Sequence, residues 1–151
     1  MSDAPKLSLD AFLPYRLSIA SNRVSDAVAS AYKALFGLKI PEWRLIAVLA
    51  EGEGLSQQAL GRATRMDKVT VSRAAIALAD RGLIARAADR NDQRAARLSL
   101  TDAGRALYDQ VAPKALAIEA ELFGGFSADE LAAFRDLLIR LEAAAEGRER
   151  G

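Results

Sequence analysis

The amino-acid sequence predicts a mainly α-helical protein that carries one short β-hairpin. Apolar residues recur at three- and four-residue steps through most of the chain, which is the period of a helix with one buried face. Alanine and leucine dominate the composition, and aromatic residues make up only 6%, which also favours helices over strands. Only residues 83–100 break the helical period, with two short strand-like runs on either side of a polar loop.

The stretch from Leu55 to Thr101 organises the rest of the chain. Two short helical patterns, Ser56–Ala63 and Asp67–Asp80, are separated by three residues, and two helices joined by so short a turn form a helix-turn-helix. The strand-like runs Leu83–Ala87 and Ala95–Leu100 follow, joined by a charged loop. A helix-turn-helix followed by a basic hairpin predicts a winged helix, a fold that binds duplex DNA.

The charge distribution agrees with a nucleic-acid partner. The whole chain has a net charge of only +1, but residues 56–101 hold nine Lys and Arg against four Asp and Glu. The remainder holds 12 against 16, so the positive charge is concentrated in the stretch expected to meet phosphates. A chance cluster of basic residues on a solvated face is the alternative, and charge alone does not decide between them.

The sequence outside this core predicts long amphipathic helices at both ends. We expect a single domain over residues 1–151, with a winged helix-turn-helix core at about 40–101 and flanking helices at about 10–36 and 102–146. These helices carry apolar stripes that a monomer of this size cannot all bury around the small core. Two copies that pack their terminal helices together would bury them, so we expect a homodimer that binds a pseudo-palindromic operator.

Gly37 is predicted to end the first long helix, and Ala63 is predicted to face inward. Helix caps are predicted at five positions: Asp10, Ser56, Asp67, Thr101 and Ser127, the last as a capping box with Glu130.

Several classes of function are excluded or disfavoured. The chain has neither cysteine nor histidine, which argues against disulfides, thiol redox sensing and zinc, and we expect no cofactor and no metal site. The carboxylate pairs Glu119/Glu121 and Asp129/Glu130 are poor catalytic candidates, because the first pair does not share a helix face and the second suits a helix cap. We therefore expect no enzyme. The chain shows no membrane span and no signal peptide, so a cytoplasmic protein is expected.

The second helix of the helix-turn-helix supplies the first DNA-contacting candidates. Its N-terminal half is where a recognition helix meets base edges and phosphates. Arg73 can contact a phosphate or bind guanine O6 and N7 together, whereas Lys68 suits the phosphate backbone. Thr70 and Ser72 can contact bases or phosphates. The alternatives are helix capping for the small polar residues and simple solvation for the charged ones.

The polar loop of the hairpin supplies the second set. A wing arginine can enter the minor groove, where a narrow groove deepens the negative potential, and Arg94 is our candidate for this role. Asp92 lies two residues earlier and would hold the Arg94 guanidinium in place, because a carboxylate facing phosphates would repel them. Arg90 and Arg97 are further phosphate candidates. A surface ion pair is the alternative for Asp92 and Arg94.

These segments together resemble the core signature of the MarR family. The resemblance implies a homodimeric winged-helix transcription factor, often a repressor, whose DNA affinity is lowered by a small molecule. One branch of that family senses oxidants through a cysteine near the N-terminus, and this chain has none. The matching segments are Asp67–Arg73, Arg81–Ile84, Asp92–Arg94 and Leu98–Arg105, with Tyr15–Leu17 and Trp43–Arg44 upstream.

Four upstream residues are candidates for a ligand pocket between the terminal helices and the winged core: Tyr15, Arg16, Trp43 and Arg44. The pattern favours a core position for Trp43. The arginines can hold a small anionic or aromatic effector, or can pair with Glu42, Glu51 or Asp109, and the sequence leaves this open. A winged helix used only for contacts with proteins, without sequence-specific DNA binding, is the alternative function.

Overall fold

The computed structural model describes residues 4–88 and 96–149, and within them the chain is mainly α-helical with one two-stranded antiparallel sheet. This architecture confirms the predicted fold class. By its internal contacts the chain divides into two compact units, Met1–Pro113 and Lys114–Gly151, which are described separately. After a 3₁₀ turn at Leu9–Ala11, the elements are α1 Leu13–Phe36, α2 Ile40–Ala50, α3 Gln57–Thr64, α4 Lys68–Asp80, β1 Ile84–Ala88, β2 Ala96–Leu100, α5 Asp102–Leu122 and α6 Ala128–Glu149.

The first long helix begins three residues later than the sequence suggests. Asp10 belongs to the 3₁₀ turn and does not cap α1, because Phe12 is extended (φ −74°, ψ 112°) and separates the turn from the helix. Pro14 lies in the first turn of α1, where its missing N–H costs nothing. Gly37 ends the helix in the left-handed conformation (φ 64°), as the sequence predicts.

The helix-turn-helix is set by two side-chain caps. Ser56 Oγ accepts a hydrogen bond from the Ala59 N–H at 3.1 Å and starts α3. Asp67 Oδ1 accepts from the Thr70 N–H at 2.7 Å and starts α4. Arg65 adopts the left-handed conformation (φ 55°) in the turn between the helices, which lies one residue later than predicted.

Helices α2, α3 and α4 enclose the core of the winged helix. Their fully buried side chains include Leu45 and Ile46 from α2, Leu60 from α3 and Leu78 from α4, each with 0% of its surface exposed. Ala63 was expected on this inner face, but it is exposed.

The two wing strands pair antiparallel, and Leu98 is the buried centre of the sheet. Its backbone exchanges two hydrogen bonds with Leu55, at 2.9 and 2.7 Å, so the loop before α3 is joined to the sheet by an isolated antiparallel bridge. Gly54 approaches so closely that a Cβ there would lie 3.1 Å from the Leu98 carbonyl oxygen. The base of the wing is therefore fixed to the start of the helix-turn-helix.

Thr101 closes the base of the wing, as predicted for a cap of the following helix. Its Oγ1 accepts from the Gly104 N–H at 3.0 Å and donates to the Gly82 carbonyl at 2.6 Å. The Thr101 N–H donates to the Leu83 carbonyl at 3.1 Å. Gly104 lies against that same carbonyl, and a Cβ at this position would clash with it. The two ends of the hairpin thus meet at the first turn of α5.

Two arginines attach helices to one another through carbonyl groups at helix ends. Arg81 donates from Nη1 and Nη2 to the Gly37 and Phe36 carbonyls, both at 3.3 Å. Arg105 donates to the Ala50 carbonyl at 3.3 Å, which ties α5 to the end of α2. Cations are favourable at these negative helix ends, so both side chains serve the scaffold.

The second unit is a helical hairpin made of the end of α5 and all of α6. The expected capping box is confirmed: the Ser127 N–H donates to Glu130 Oε1 at 2.9 Å, and the Glu130 N–H donates to Ser127 Oγ at 3.1 Å. Phe123 packs against Phe126 and Phe134 with ring centroids 6.2 and 6.4 Å apart. An apolar cavity of about 450 Å³ adjoins these rings, and α6 buries no side chain fully along its described length.

Candidate nucleic-acid interface

Helix α4 presents two opposite faces. Val71, Ala75 and Leu78 are buried against the rest of the helix-turn-helix. Lys68 and Arg73 are exposed on the outward side, as expected for residues that meet DNA, and they lie in the first two turns. The helix therefore keeps its cations in solvent while its inner face fixes its position.

Asp67 holds the N-terminal end of this basic helix. The hydrogen bond from the Thr70 backbone N–H, with a further bond from the Thr70 side chain, lowers the pKa of the Asp67 carboxyl below its usual range. The positive charge of Arg73 also contributes to lowering this pKa. The carboxylate thus satisfies the helix end, which accounts for a negative charge beside the exposed cations of α4.

The small polar candidates on α4 are less accessible than the cations. Thr70 and Ser72 are both partly buried. The Thr70 side chain shares in the cap on Asp67, which is the structural alternative considered for it. A DNA-contacting role for Thr70 therefore requires its hydroxyl to serve the cap and a phosphate or base together.

The outward face of α4 also carries two apolar side chains that the sequence reasoning missed. Val69 is 59% exposed and Ile76 is 55% exposed. Val69, Arg73 and Ile76 follow the i, i+4, i+7 spacing of one helix face, opposite the buried stripe. The sequence already contains the signal, because Val69 and Ile76 are apolar but lie outside the core stripe of α4.

A cleft of about 620 Å³ separates α3 from the start of α4. Two basic side chains, Arg62 from α3 and Lys68 from α4, stand at this cleft. Both are exposed, so the positive surface extends from α4 onto α3. The cleft is lined by Gln57, Gln58, Gly61, Arg62, Met66, Lys68 and Val71.

The wing candidates divide between described and undescribed residues. Arg97 is exposed on β2 and pairs across the sheet with Ala87, on the face opposite to buried Leu98. Its side chain is therefore directed away from the core. Arg90, Asp92 and Arg94 lie outside the described residues.

The ring contacts of Trp43 do not involve the other candidates for the ligand pocket. Trp43 stacks on Tyr108 at a centroid distance of 5.9 Å and meets the edge of Tyr32 at 5.7 Å. Tyr15 is partly buried on α1 and is not among these ring partners. Trp43 is only partly buried in these ring contacts, and it does not belong to the fully buried core of the described residues, where the pattern had favoured it.

The arginine candidates beside them remain in solvent. Arg16 and Arg44 are both exposed. Glu42, one of the carboxylates considered as a partner, is buried and accepts from the Lys39 N–H at 3.0 Å at the start of α2. This carboxylate therefore serves the helix end.

Comparison with known proteins decides the family. The model of the MarR family matches residues 36–95. A solved structure of a MarR family transcriptional regulator from Silicibacter pomeroyi is 33% identical, covers 91% of this chain and 92% of its own, and superimposes with a TM-score of 0.74. The chain belongs to the MarR family. It is thereby placed among transcriptional regulators and not among enzymes.

Two further MarR-like comparisons bear on function. A curated relative, the HTH-type transcriptional regulator TtmR of Methylorubrum extorquens, is 34% identical over 98 residues, which are 63% of this chain and half of that relative's length. The structure of Bordetella bronchiseptica BpsR is 25% identical, covers 91% of this chain and 98% of its own, and has a TM-score of 0.85. It was determined in work on the regulation of BpsR DNA binding by 6-hydroxynicotinic acid.

The two ends of this MarR chain carry the longest helices, α1, α5 and α6. Across residues 4–88 and 96–149, no helix combines the length and the apolar character that crossing a membrane requires.

Proposed function

We propose that this protein is a cytoplasmic, homodimeric repressor that binds a pseudo-palindromic operator in double-stranded DNA. Helix α4 would enter the major groove and the wing would lie along the neighbouring minor groove. The proposed contacts are Lys68, Thr70, Ser72 and Arg73 from α4, and Arg90, Arg94 and Arg97 from the wing, with Asp92 orienting Arg94.

The outward face of α4 is the observation that carries this proposal. Its inner face is buried in the core, while Lys68 and Arg73 extend into solvent from the first two turns. A helix fixed along one side and basic along the other can be inserted into a groove without rearrangement. Phosphate contacts then position the helix, and base contacts provide the specificity.

Unpartnered apolar side chains on the terminal helices support the homodimer. Leu13 at the start of α1 is 77% exposed, and Leu35 near its end is also exposed. On α6, Phe134, Leu137 and Leu141 are exposed and follow the i, i+3, i+7 spacing of one helix face. Isolated apolar residues are normal on a protein surface, but a helix that buries no side chain fully needs a partner to account for its apolar stripe.

We further propose that a small anionic or aromatic ligand lowers the affinity for DNA. The candidates for its site are Tyr15, Arg16, Trp43 and Arg44, of which both arginines are exposed. The effect of 6-hydroxynicotinic acid on DNA binding by BpsR supports an aromatic acid as the ligand class. Such a ligand would bind preferentially to a dimer in which the distance between the two recognition helices does not match successive major grooves. It can lower the affinity for DNA only by the difference between its affinities for this dimer and for the DNA-binding one.

The proposed DNA contact is tested by separating base readers from phosphate ligands on α4. Lys68→Ala should weaken binding to the operator and to a scrambled duplex equally, and should lower the salt slope by about one unit. Arg73→Ala should cost roughly 1–3 kcal/mol on the operator and relax the preference at one base position per half-site. Both are measured as dissociation constants on the two duplexes at several salt concentrations.

The same titrations discriminate between the alternatives. Equal losses for Arg73→Ala on both duplexes would assign Arg73 to phosphate, and the specificity would then have to come from other residues or from DNA shape. Electrostatic affinity for DNA is largest at low salt. If the wild type binds no duplex at low salt, a winged helix used only for protein contacts would be favoured.

A further inference from the structure

A side chain of the wing reaches the first residue of the helix-turn-helix. Arg86 is the third residue of β1, and its Nη2 donates a hydrogen bond to Gln57 Oε1 at 2.7 Å. Gln57 is the first residue of α3. The wing and α3 are thus joined through two side chains, in addition to the backbone pairing of Leu55 with Leu98.

The strand register explains why Arg86 makes this contact. Arg86 pairs with Leu98, and residues directly opposite each other in an antiparallel sheet share a face. Leu98 is buried, whereas Arg86 is exposed, because an unpaired guanidinium is costly to bury. The hydrogen bond to Gln57 holds the guanidinium at the exposed margin of that face.

The contact lies at the edge of the proposed DNA surface. Gln57 lines the cleft between α3 and α4 together with Lys68. In a helix-turn-helix the first helix crosses the DNA backbone, and the N-terminal end of a helix favours an anion. A guanidinium fixed beside Gln57 therefore stands where a phosphate of a bound duplex is expected.

The chemistry of the acceptor also suits a phosphate ligand. The Gln57 amide is neutral, so it can orient the guanidinium without cancelling its charge. A carboxylate at this position would hold Arg86 as well, but it would neutralise the positive charge and repel the phosphate. Arg81 differs, because its two Nη atoms donate to carbonyls at the negative end of α1.

We propose that Arg86 binds a DNA phosphate at the base of the wing and that Gln57 is its positioning residue. The inference rests on the proposed function, because it presupposes a bound duplex. It adds a contact from the strand at the base of the wing, on the side of α3.

The test uses the full-length protein and an operator obtained by selection from randomised duplexes. Arg86→Met should weaken operator binding about tenfold and lower the salt slope by about one unit, as expected for one lost phosphate contact. Gln57→Leu should weaken binding about threefold and leave the slope unchanged, because the charge remains but is no longer held. The double variant should bind like Arg86→Met alone, since Gln57 acts through Arg86.

Two further variants serve as controls. Arg86→Lys keeps the charge and should retain the wild-type slope. Arg23→Met removes an exposed arginine from the middle of α1 and should change neither the affinity nor the slope. Far-UV circular dichroism checks that each variant is folded, and Arg86→Gln replaces Arg86→Met if the latter is not.

Four results would overturn the proposal. An unchanged salt slope in folded Arg86→Met would remove Arg86 from the phosphate contacts. Wild-type affinity in Gln57→Leu, or additive losses in the double variant, would show that Gln57 does not act through Arg86. If the wild type enriches no duplex in the selection, the DNA-binding function itself fails, and this inference fails with it.

Discussion

Val69 is an apolar side chain on the outward face of α4, where it is surrounded by water in the free protein. Valine is a poorer helix former than alanine, so its presence at this exposed position brings the isolated helix no advantage. The major groove offers it one apolar partner, the C5 methyl group of thymine. Arg73 lies one turn further along the same face, so both side chains would meet neighbouring bases.

We expect Val69 to contact a thymine methyl group in each half-site. Replacing that thymine by deoxyuracil removes only the methyl, and should weaken wild-type binding by about 0.8 kcal/mol per half-site. Val69→Ala should bind the two duplexes with similar affinities. Competition titrations with operators substituted one thymine at a time measure this difference.

Ile76 provides the matched control, since it is similarly exposed but lies two turns further along α4. Ile76→Ala should retain the preference for thymine over deoxyuracil at the position assigned to Val69. If Val69→Ala also retains it, the methyl group is recognised by another side chain.

Individual exposures could be predicted only where helical period and residue type agreed. Arg73 is charged and lies off the buried stripe, so its exposure followed from the sequence. Lys68 lies at the edge of that stripe, and its exposure was expected because its long side chain can carry the charge outward from the first turn. Val69 lies outside the predicted core stripe of Val71, Ala75 and Leu78, and no role was predicted for it. The participation of the Thr70 side chain in the cap was also missed, because it depends on the geometry around Asp67.

At the scale of the element, the start of α4 is stabilised by the hydrogen bond that caps it. Asp67 accepts from the Thr70 N–H, and this bond lowers the carboxyl pKa in the folded protein. A lowered folded pKa means that the carboxylate stabilises the fold fully above the unfolded value, about 3.9. This contribution is lost as the pH falls through the lower, folded value.

Acid unfolding should therefore contain a component due to Asp67. Asp67→Asn keeps a capping side chain but cannot titrate, so the free energy of unfolding of this variant should fall less steeply below about pH 4. Denaturant titrations at a series of acidic pH values, on the wild type and the variant, measure the difference. Parallel pH profiles would show that the cap is equally strong in both protonation states.

The junction between the wing and α5 requires the absence of a side chain at Gly104. Alanine usually favours a helix over glycine, but a Cβ here would clash with the Leu83 carbonyl, which also accepts from the Thr101 N–H. We expect Gly104→Ala to destabilise the protein by about 1–3 kcal/mol, as overpacking does. Thermal and denaturant unfolding measure this loss.

Gly52 offers a control for this substitution. A Cβ at Gly52 meets no atom within 4 Å, so Gly52→Ala should leave the free energy of unfolding within about 0.5 kcal/mol of the wild type. Equal stability of the Gly104 and Gly52 variants would show that the wing base can move aside.

The elements themselves were largely predictable, because their ends are set by local chemistry. Ser56, Asp67, Thr101 and Ser127 were predicted as caps, and each accepts the expected hydrogen bond. The start of α1 was wrong, since Asp10 has the composition of a cap but lies in a 3₁₀ turn. The sequence pattern gives no sign that an extended residue, Phe12, separates the 3₁₀ turn from α1.

At the scale of the whole molecule, we expect the apolar stripes of the terminal helices to decide how copies associate. A hydrophobic period marks an apolar face but does not say which chain covers it, so the sequence alone could not settle the assembly. The exposure of the side chains on α6 now separates residues that support the helical hairpin from residues available to a partner.

Substitutions of Leu137 and Leu138 by aspartate should therefore have different effects on folding and dimerisation. Both side chains border cavities beside the Phe123 ring, but Leu137 is 55% exposed, whereas Leu138 is partly buried. Leu137→Asp should leave the fold intact and dissociate the dimer, while Leu138→Asp should weaken both folding and dimerisation because it introduces a charge among apolar groups. Analytical ultracentrifugation and circular dichroism report the two properties separately. A monomeric wild type at micromolar concentration would contradict the proposed dimer.

The closure at the base of the wing has a consequence for how this protein can evolve. Thr101, Gly82 and Leu83 bring the ends of the hairpin together at the start of α5. When the two ends of a loop are held together, each doubling of the loop length costs only about 0.6 kcal/mol of folding free energy. Insertions and deletions between the strands can therefore accumulate without displacing the recognition helix. Descendants of such a protein can acquire new operators through the wing while they inherit an unaltered core.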